Sequence, residues 1–145
     1  MKANKVKKHP FEIFEQIQKT KTIADRITIL QENESYELKT ILQGAFCSNI
    51  VFDLPAGAPP FTPSLLPAGI LWSSMRKQLQ VLPKLLVQNA AVNKIKKEKL
   101  FILLLENVHA SDAEILIAMK DKSLHKKYSY VTPAVVAAAF TNLGI

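Results

Sequence analysis

Four lysines, Lys94, Lys96, Lys97 and Lys99, crowd the six residues ahead of the apolar run Leu100 to Leu105. On a helix they span about one and a half turns, so they fan around its start instead of lining one stripe. Positive charge there opposes the helix dipole, and a phosphate-bearing partner would offset that cost. Arg76 and Lys77, close to Trp72, make a second basic cluster beside an aromatic ring, a pairing that suits single-stranded nucleic acid. Arg76, Lys77, Lys94, Lys96 and Lys97 are therefore the candidate nucleic-acid contacts. Against this, lysine-rich surfaces ordinarily serve solubility. Arginine, the better reader of phosphates and bases, occurs only as Arg26 and Arg76.

A different chemistry belongs to LPAGAPPFTPSLLPAG, residues 54–69, with five Pro and two Gly in sixteen residues. Proline removes backbone donors and restricts its predecessor, which excludes a regular helix or a central strand. A disordered linker would seldom carry Phe61, Leu65 and Leu66, so residues 53–69 are expected to form an ordered loop across a helical surface. Its candidate partner contacts are Pro59, Pro60, Phe61 and Leu65, because a stiff backbone loses little entropy on docking. At least one of Phe61, Leu65 and Leu66 should pack on the helices, with the tip, residues 56–60, exposed. The competing reading is that all three anchors only seal the core.

Catalytic and cofactor chemistry finds no motif. Gly44, Gly57, Gly69 and Gly144 lie in neither a P-loop nor a dinucleotide fingerprint. His9, His109 and His125 lack metal-ligand spacing, and His109 and His125 read as solvated imidazoles. The acids Glu32, Glu34 and Glu37 cluster near a helix start, where they suit the dipole better than proton transfer. Cys47 stands alone and reads as a small buried hydrophobe. The expectation is a protein that is not an enzyme, with no cofactor and no metal site.

The elements that must position these residues are short helices. The chain has 145 residues, a net charge of +7 and 48% hydrophobic residues, which fits one folded domain, residues 1–145. Two basic blocks, 1–22 and 56–106, flank an acidic one, and such polarity suits an acidic partner. A basic arm, residues 1–9, lacks the apolar stretch of a secretory signal, and no run reaches the ~20 residues of a membrane span. His9-Pro10 opens a helix carrying Phe11, Ile13, Phe14 and Ile17. Thr22 with Asp25 caps a second, with Ile23, Ile27 and Leu30 inward. Ser35 caps a third, Tyr36 to Gln43, which Gly44 ends. After a short extended piece at residues 50–52 and the Pro-rich loop, residues 72–91 return to helix, capped by Ser73 or Ser74 and broken by Pro83.

The run Leu100 to Leu105 reads as a central helix, apolar all round, with Ile102, Leu103 and Leu105 buried. Replacing Leu103 by Ala should then cost about 2–5 kcal/mol. Ser111 and Glu114 form a capping box for the following helix, and Ile115, Leu116 and Met119 face inward. Residues 121–130 form a polar connection, and Thr132-Pro133 starts a last helix rich in small residues. The second helix of that pair carries no base-reading side chain before Asn142, so a helix-turn-helix is a weak fit. The fold expected is all-α, six to eight short helices around the Leu-rich one, crossed by the Pro-rich loop.

Three stretches, LQGAFCSNIVFDLPAGAPPFTP, KEKLFILLLENVHASDAEILIAMKDKSL and YSYVTPAVVAAAF, cover about half the chain. In them the sequence resembles a family of uncharacterised small proteins of large contractile-tailed, T-even-like bacteriophages, cyanophages included. It departs from the family's pattern at Ala58, at Val108-His109 and in its longer amino terminus. The resemblance implies a phage origin, with action in the host cytoplasm or the virion, and no catalytic residues. Two roles follow as expectations. The preferred one is an accessory or structural protein that docks a phage or host protein through the Pro-rich loop. The alternative is a basic accessory protein that binds nucleic acid through its lysines.

Overall fold

The computed structural model describes residues 8–67 and 75–145. Among these, eight α-helices and no strand form one all-α domain. The helices are α1 (Pro10–Gln18), α2 (Ile23–Glu32), α3 (Tyr36–Phe46), α4 (Met75–Leu79), α5 (Lys94–Glu106), α6 (Ala110–Lys120), α7 (Leu124–Lys127) and α8 (Pro133–Ala139). Most of amino-terminal residues 1–9, loop residues 68–69, Trp72 and the caps expected at Ser73 or Ser74 lie outside the described residues.

Local signals set most boundaries. The hydroxyls of Thr22, Ser35 and Thr132 each accept a backbone N–H three residues on, satisfying a donor the helix start leaves unpaired. Pro83 divides its segment as expected: α4 ends at Leu79 and a 3-10 turn, Leu82–Leu85, follows. Residues 86–91 then run on without the helix expected there. Residues 50–52 are extended, and Phe52 forms an antiparallel bridge with Leu86, supported by Asp53 N–H donating to the Leu85 carbonyl at 2.8 Å.

Four expectations are corrected. Helix α3 runs through Gly44 to Phe46 because Gly44 is needed for close approach, not for a stop. A Cβ there would lie 2.7 Å from Met119 Sδ on α6. Ile23 is exposed, and Ile29 with Leu30 fills the α2 face. The partner, α8, is only seven residues long. It meets α2 between Arg26, which lies 3.7 Å from the Tyr130 ring, and Gln31, whose amide donates to the Ala139 carbonyl. The polar connection of residues 121–130 folds partly into α7, with Leu124 and Tyr128 buried. Finally, α6 starts one residue before Ser111, and its cap is His109, whose Nδ1 accepts the Ser111 N–H at 3.0 Å.

The helix at the centre is α6 and not the Leu-rich α5. Asp112, Ala113, Ile115, Leu116, Ala118, Met119 and Lys120 are all buried, which covers most of the helix circumference and leaves only the side of Glu114 at the surface. It packs against α3, α5, α1 and α7. In α5 only Lys97, Phe101, Leu104 and Leu105 are buried. Leu103 is 55% exposed and Ile102 half-buried, so the apolar run hides one ordinary inward face. Leu105 alone of the three expected positions is fully buried.

Candidate functional site

The Pro-rich loop runs lengthwise along α6, against the helix direction. At the carboxyl end of α6, Lys120 Nζ donates to the Pro55 carbonyl at 2.8 Å, and Gly57 N–H donates to Asp121 Oδ2 at 3.0 Å. At its amino end, Thr62 N–H donates to Glu106 Oε2 at 2.8 Å, and Ser64 forms a parallel bridge with His109. Eleven residues of helix are roughly 16 Å long, a distance that residues 55–64 span without being fully stretched. Side chains of the helical body thus supply the partners that five prolines deny the loop internally. Gly57 adopts φ +85°, the left-handed region that glycine enters without penalty, at the exposed tip.

Of the three apolar anchors, Phe61 alone packs against the core. Leu65 is 97% exposed and Leu66 38%. Pro60 is exposed and Pro59 half-buried. The sequence-predicted contacts therefore divide: Phe61 holds the loop, while Leu65 and Pro60 are presented. Beside the loop's attachment runs the outer face of α5. Leu103 stands three residues before Glu106 on that face, and the exposed Ile95 lies two turns earlier. No sequence signal separated Leu65 from Phe61, since both are large, apolar and flanked by proline.

The basic candidates also divide. Lys94 and Lys96 are exposed around the start of α5, where Asn93 Oδ1 caps the helix by accepting the Lys96 N–H. Arg76 and Lys77 are exposed on α4, and the Arg76 guanidinium lies 4.9 Å from the Tyr36 ring. Lys97 is a correction: it is 2% exposed, its ammonium donating to Asp53 Oδ2 and to the Leu86 carbonyl, each at 2.9 Å. A buried ammonium so engaged has no reach to a phosphate. It fastens α5 to the bridge at Phe52 and Leu86.

One polar cluster has no precedent in the sequence pattern. Asp112 is wholly buried, with Oδ2 2.9 Å from His9 Nδ1 and Oδ1 accepting the Phe11 N–H at 3.1 Å. The Phe11 ring stacks on His109 at 4.5 Å, and the His9 and His109 rings lie 6.1 Å apart. His109 is thus a packed helix cap, not the solvated imidazole expected. Burial raises the Asp112 pKa above its ordinary value, against the opposing pull of His9, the Phe11 N–H and His109. Burial also pushes the nearby Tyr128 hydroxyl up to about 12, with Glu15, Glu114 and Asp112 adding to the effect. The cluster clamps the start of α1 to the start of α6. Among the described residues no group of three or more His, Cys, Asp or Glu could hold a metal ion.

These features define a single all-α domain that carries a tethered, partly apolar loop edge. The chain belongs to DUF6433, a family of unknown function, whose match extends over residues 13–126. No curated protein matches the chain. Among the described residues no helix is long and apolar enough to cross a membrane.

Proposed function

We propose that this chain is a non-enzymatic interaction module of a phage, acting in the host cytoplasm or the virion. It docks a protein partner through the loop of residues 54–67. The observation that carries the reading is Leu65, 97% exposed immediately after the stretch that Thr62 and Ser64 fasten to the helices. An apolar side chain so placed gains by burial on a partner, and a pre-ordered loop loses little freedom in binding. Leu66 and Pro60 on the same loop, and Leu103 on α5, supply further exposed apolar surface. The phage assignment rests on the sequence resemblance. Pull-down from infected cells with the parent chain, Leu65→Ser and Ile23→Ser tests the docking. Capture should be lost with Leu65→Ser and retained with Ile23→Ser, both variants melting as the parent does. Equal capture by all three would place the partner surface elsewhere.

A second reading, nucleic-acid binding, is favoured by one observation: Lys94 and Lys96 are exposed at a helix start whose dipole they oppose. Affinity for a single-stranded oligonucleotide should then fall steeply with salt, and Lys94→Gln with Lys96→Gln should flatten the slope. Absence of a gel shift at low salt removes this reading.

A further inference from the structure

Helix α6 ends in a Schellman turn whose left-handed position is occupied by a lysine. Ser123 N–H donates to the Ala118 carbonyl at 2.8 Å, Lys122 N–H to that of Met119 at 3.1 Å, and Lys122 has φ 57°. Glycine adopts that conformation at lower cost, so the side chain must contribute something the backbone does not require. Part of that contribution is structural. Lys122 Nζ donates to the Gly44 carbonyl and, at 3.1 Å, to that of Cys47, capping the carboxyl end of α3.

The charge is not balanced by those contacts. Both acceptors are neutral carbonyls, and among the described residues no carboxylate lies within ion-pair distance of Lys122. Its neighbour Lys120 differs, because Asp121 pairs with it. An ammonium has three N–H donors, and two are used. Partial burial lowers the Lys122 pKa, which fits a half-buried cation with no carboxylate beside it. Lys122 also lines an open surface pocket of about 790 Å3, within the volume range that holds small ligands. Phe46, Phe52 and Pro133 give it apolar lining, and His125 and Ser129 line it together with Lys122. The Phe52 ring centroid lies 5.9 Å from the Lys122 ammonium, so an apolar wall and an unbalanced cation are side by side.

We propose that this pocket binds a small organic anion with an apolar body, its acidic group on Lys122 and its body against Phe52 and Phe46. The site is separate from the docking loop: it is formed by the end of α3, the turn between α6 and α7, and the start of α8. The anion would complete the third N–H of Lys122 and supply the missing counter-charge. Its apolar part would cover walls that water solvates poorly.

Fluorescence titration of the full chain with 8-anilinonaphthalene-1-sulfonate tests the site. N-phenyl-1-naphthylamine, the same ring system without the sulfonate, serves as the neutral comparison. The parent should bind the sulfonate saturably at one site, with octanoate displacing it. Lys122→Gly, which suits the left-handed backbone and removes only the side chain, should weaken the sulfonate at least tenfold and the neutral probe less than twofold. Ser48→Trp, at the exposed rim and outside every helix, should block both probes while leaving α3 capped. It decides the matter if Lys122→Gly does not fold. Three results overturn the proposal: no saturable binding by the parent, unchanged sulfonate affinity in a folded Lys122→Gly, or unchanged binding of both probes by Ser48→Trp.

Discussion

Helices α5 and α6 follow one another, separated only by Asn107, Val108 and His109, and both carry enough apolar residues to be central. They end in opposite situations. Helix α5, with the longer unbroken apolar run, keeps an open outer face with Ile95 and Leu103 exposed, whereas α6, interrupted by Asp112 and Lys120, is buried over most of its circumference and leaves only Glu114 exposed. Small residues account for part of the difference. Ala113 and Ala118 on α6, and Gly44 across from Met119, let neighbouring backbones close in from several directions. The polar residues of α6 are admitted because each has a partner: Asp112 has His9 and the Phe11 N–H, and Lys120 has Asp121 and the Pro55 carbonyl. The unbroken run of α5 holds more apolar residues than its one inward face can bury, and the excess is left at the surface beside the loop.

The contrast can be broken most directly at Leu116, which has no exposure. Leu116→Ala on α6 should cost about 3–5 kcal/mol in urea unfolding, from lost burial and an unfilled cavity. A loss below about 1 kcal/mol would mean that the surroundings of α6 collapse freely, and its central place would be in doubt. Next in size is the buried ion pair that α5 makes. Asp53→Ala leaves the Lys97 ammonium, 2% exposed, with only the Leu86 carbonyl, and should cost about 3 kcal/mol. Lys96→Ala, one residue away and exposed, should stay within about 0.5 kcal/mol of the parent. Equal effects of Asp53→Ala and Lys96→Ala would show that Lys97 is hydrated and that its pair with Asp53 is not structural.

Much of the fold was legible in the sequence wherever the signal was local. Thr22, Ser35 and Thr132 announce helix starts because a hydroxyl three residues before an N–H is a short-range geometry. Pro83 breaks its helix for an equally local reason. What stayed illegible depends on partners far along the chain. Lys97 reads as one of four similar lysines until Asp53, 44 residues earlier, is folded against it. His9 and Asp112 are 103 residues apart, and neither sits in a pattern that names the other. His109 displaces Ser111 as a cap because its ring is held by Phe11, another distant contact. At the Pro-rich loop, the absence of regular secondary structure in residues 54–67 could be read from proline content, but the choice of Phe61 over Leu65 as anchor could not. Both satisfy the same pattern, and only the shape of the surface beneath distinguishes them.

The Asp112 clamp sharpens the comparison through pH. Its native pKa is raised, so the folded state binds a proton more tightly than the unfolded chain does. Across the window from the ordinary aspartate value up to the raised one, its contribution to stability falls as pH rises. Below that window the contribution is fully present. Asp112→Asn removes the titration, so its melting temperature should lose less than the parent's between acid and neutral pH. His9 and His109 face the same carboxyl, and the measurement is repeated in His9→Gln to separate their titration from that of Asp112. A parent profile that rises faster than that of Asp112→Asn across this window would reverse the sign and make the clamp a stabilising ion pair.

The smallest effects on stability belong to the surface that the docking proposal uses most. Leu103 and Leu65 are 55% and 97% exposed, so truncating either removes little buried area. Leu103→Ala and Leu65→Ser should each change unfolding free energy by less than about 0.5 kcal/mol. This reverses what the apolar run of α5 alone suggested, a core-sized loss at Leu103. The two positions lie on different elements joined through Glu106 and Thr62, so a shared cover would register at both. If either truncation costs more than about 2 kcal/mol in the isolated protein, its side chain is buried in solution. A second copy of the chain is then the occupant to look for, by sedimentation at the same concentration. If both are silent and the protein sediments as a monomer, the face is free for another partner. Stability and capture are then separable, because the loop is held by Phe61 and its backbone tethers while Leu65 takes no part in holding it.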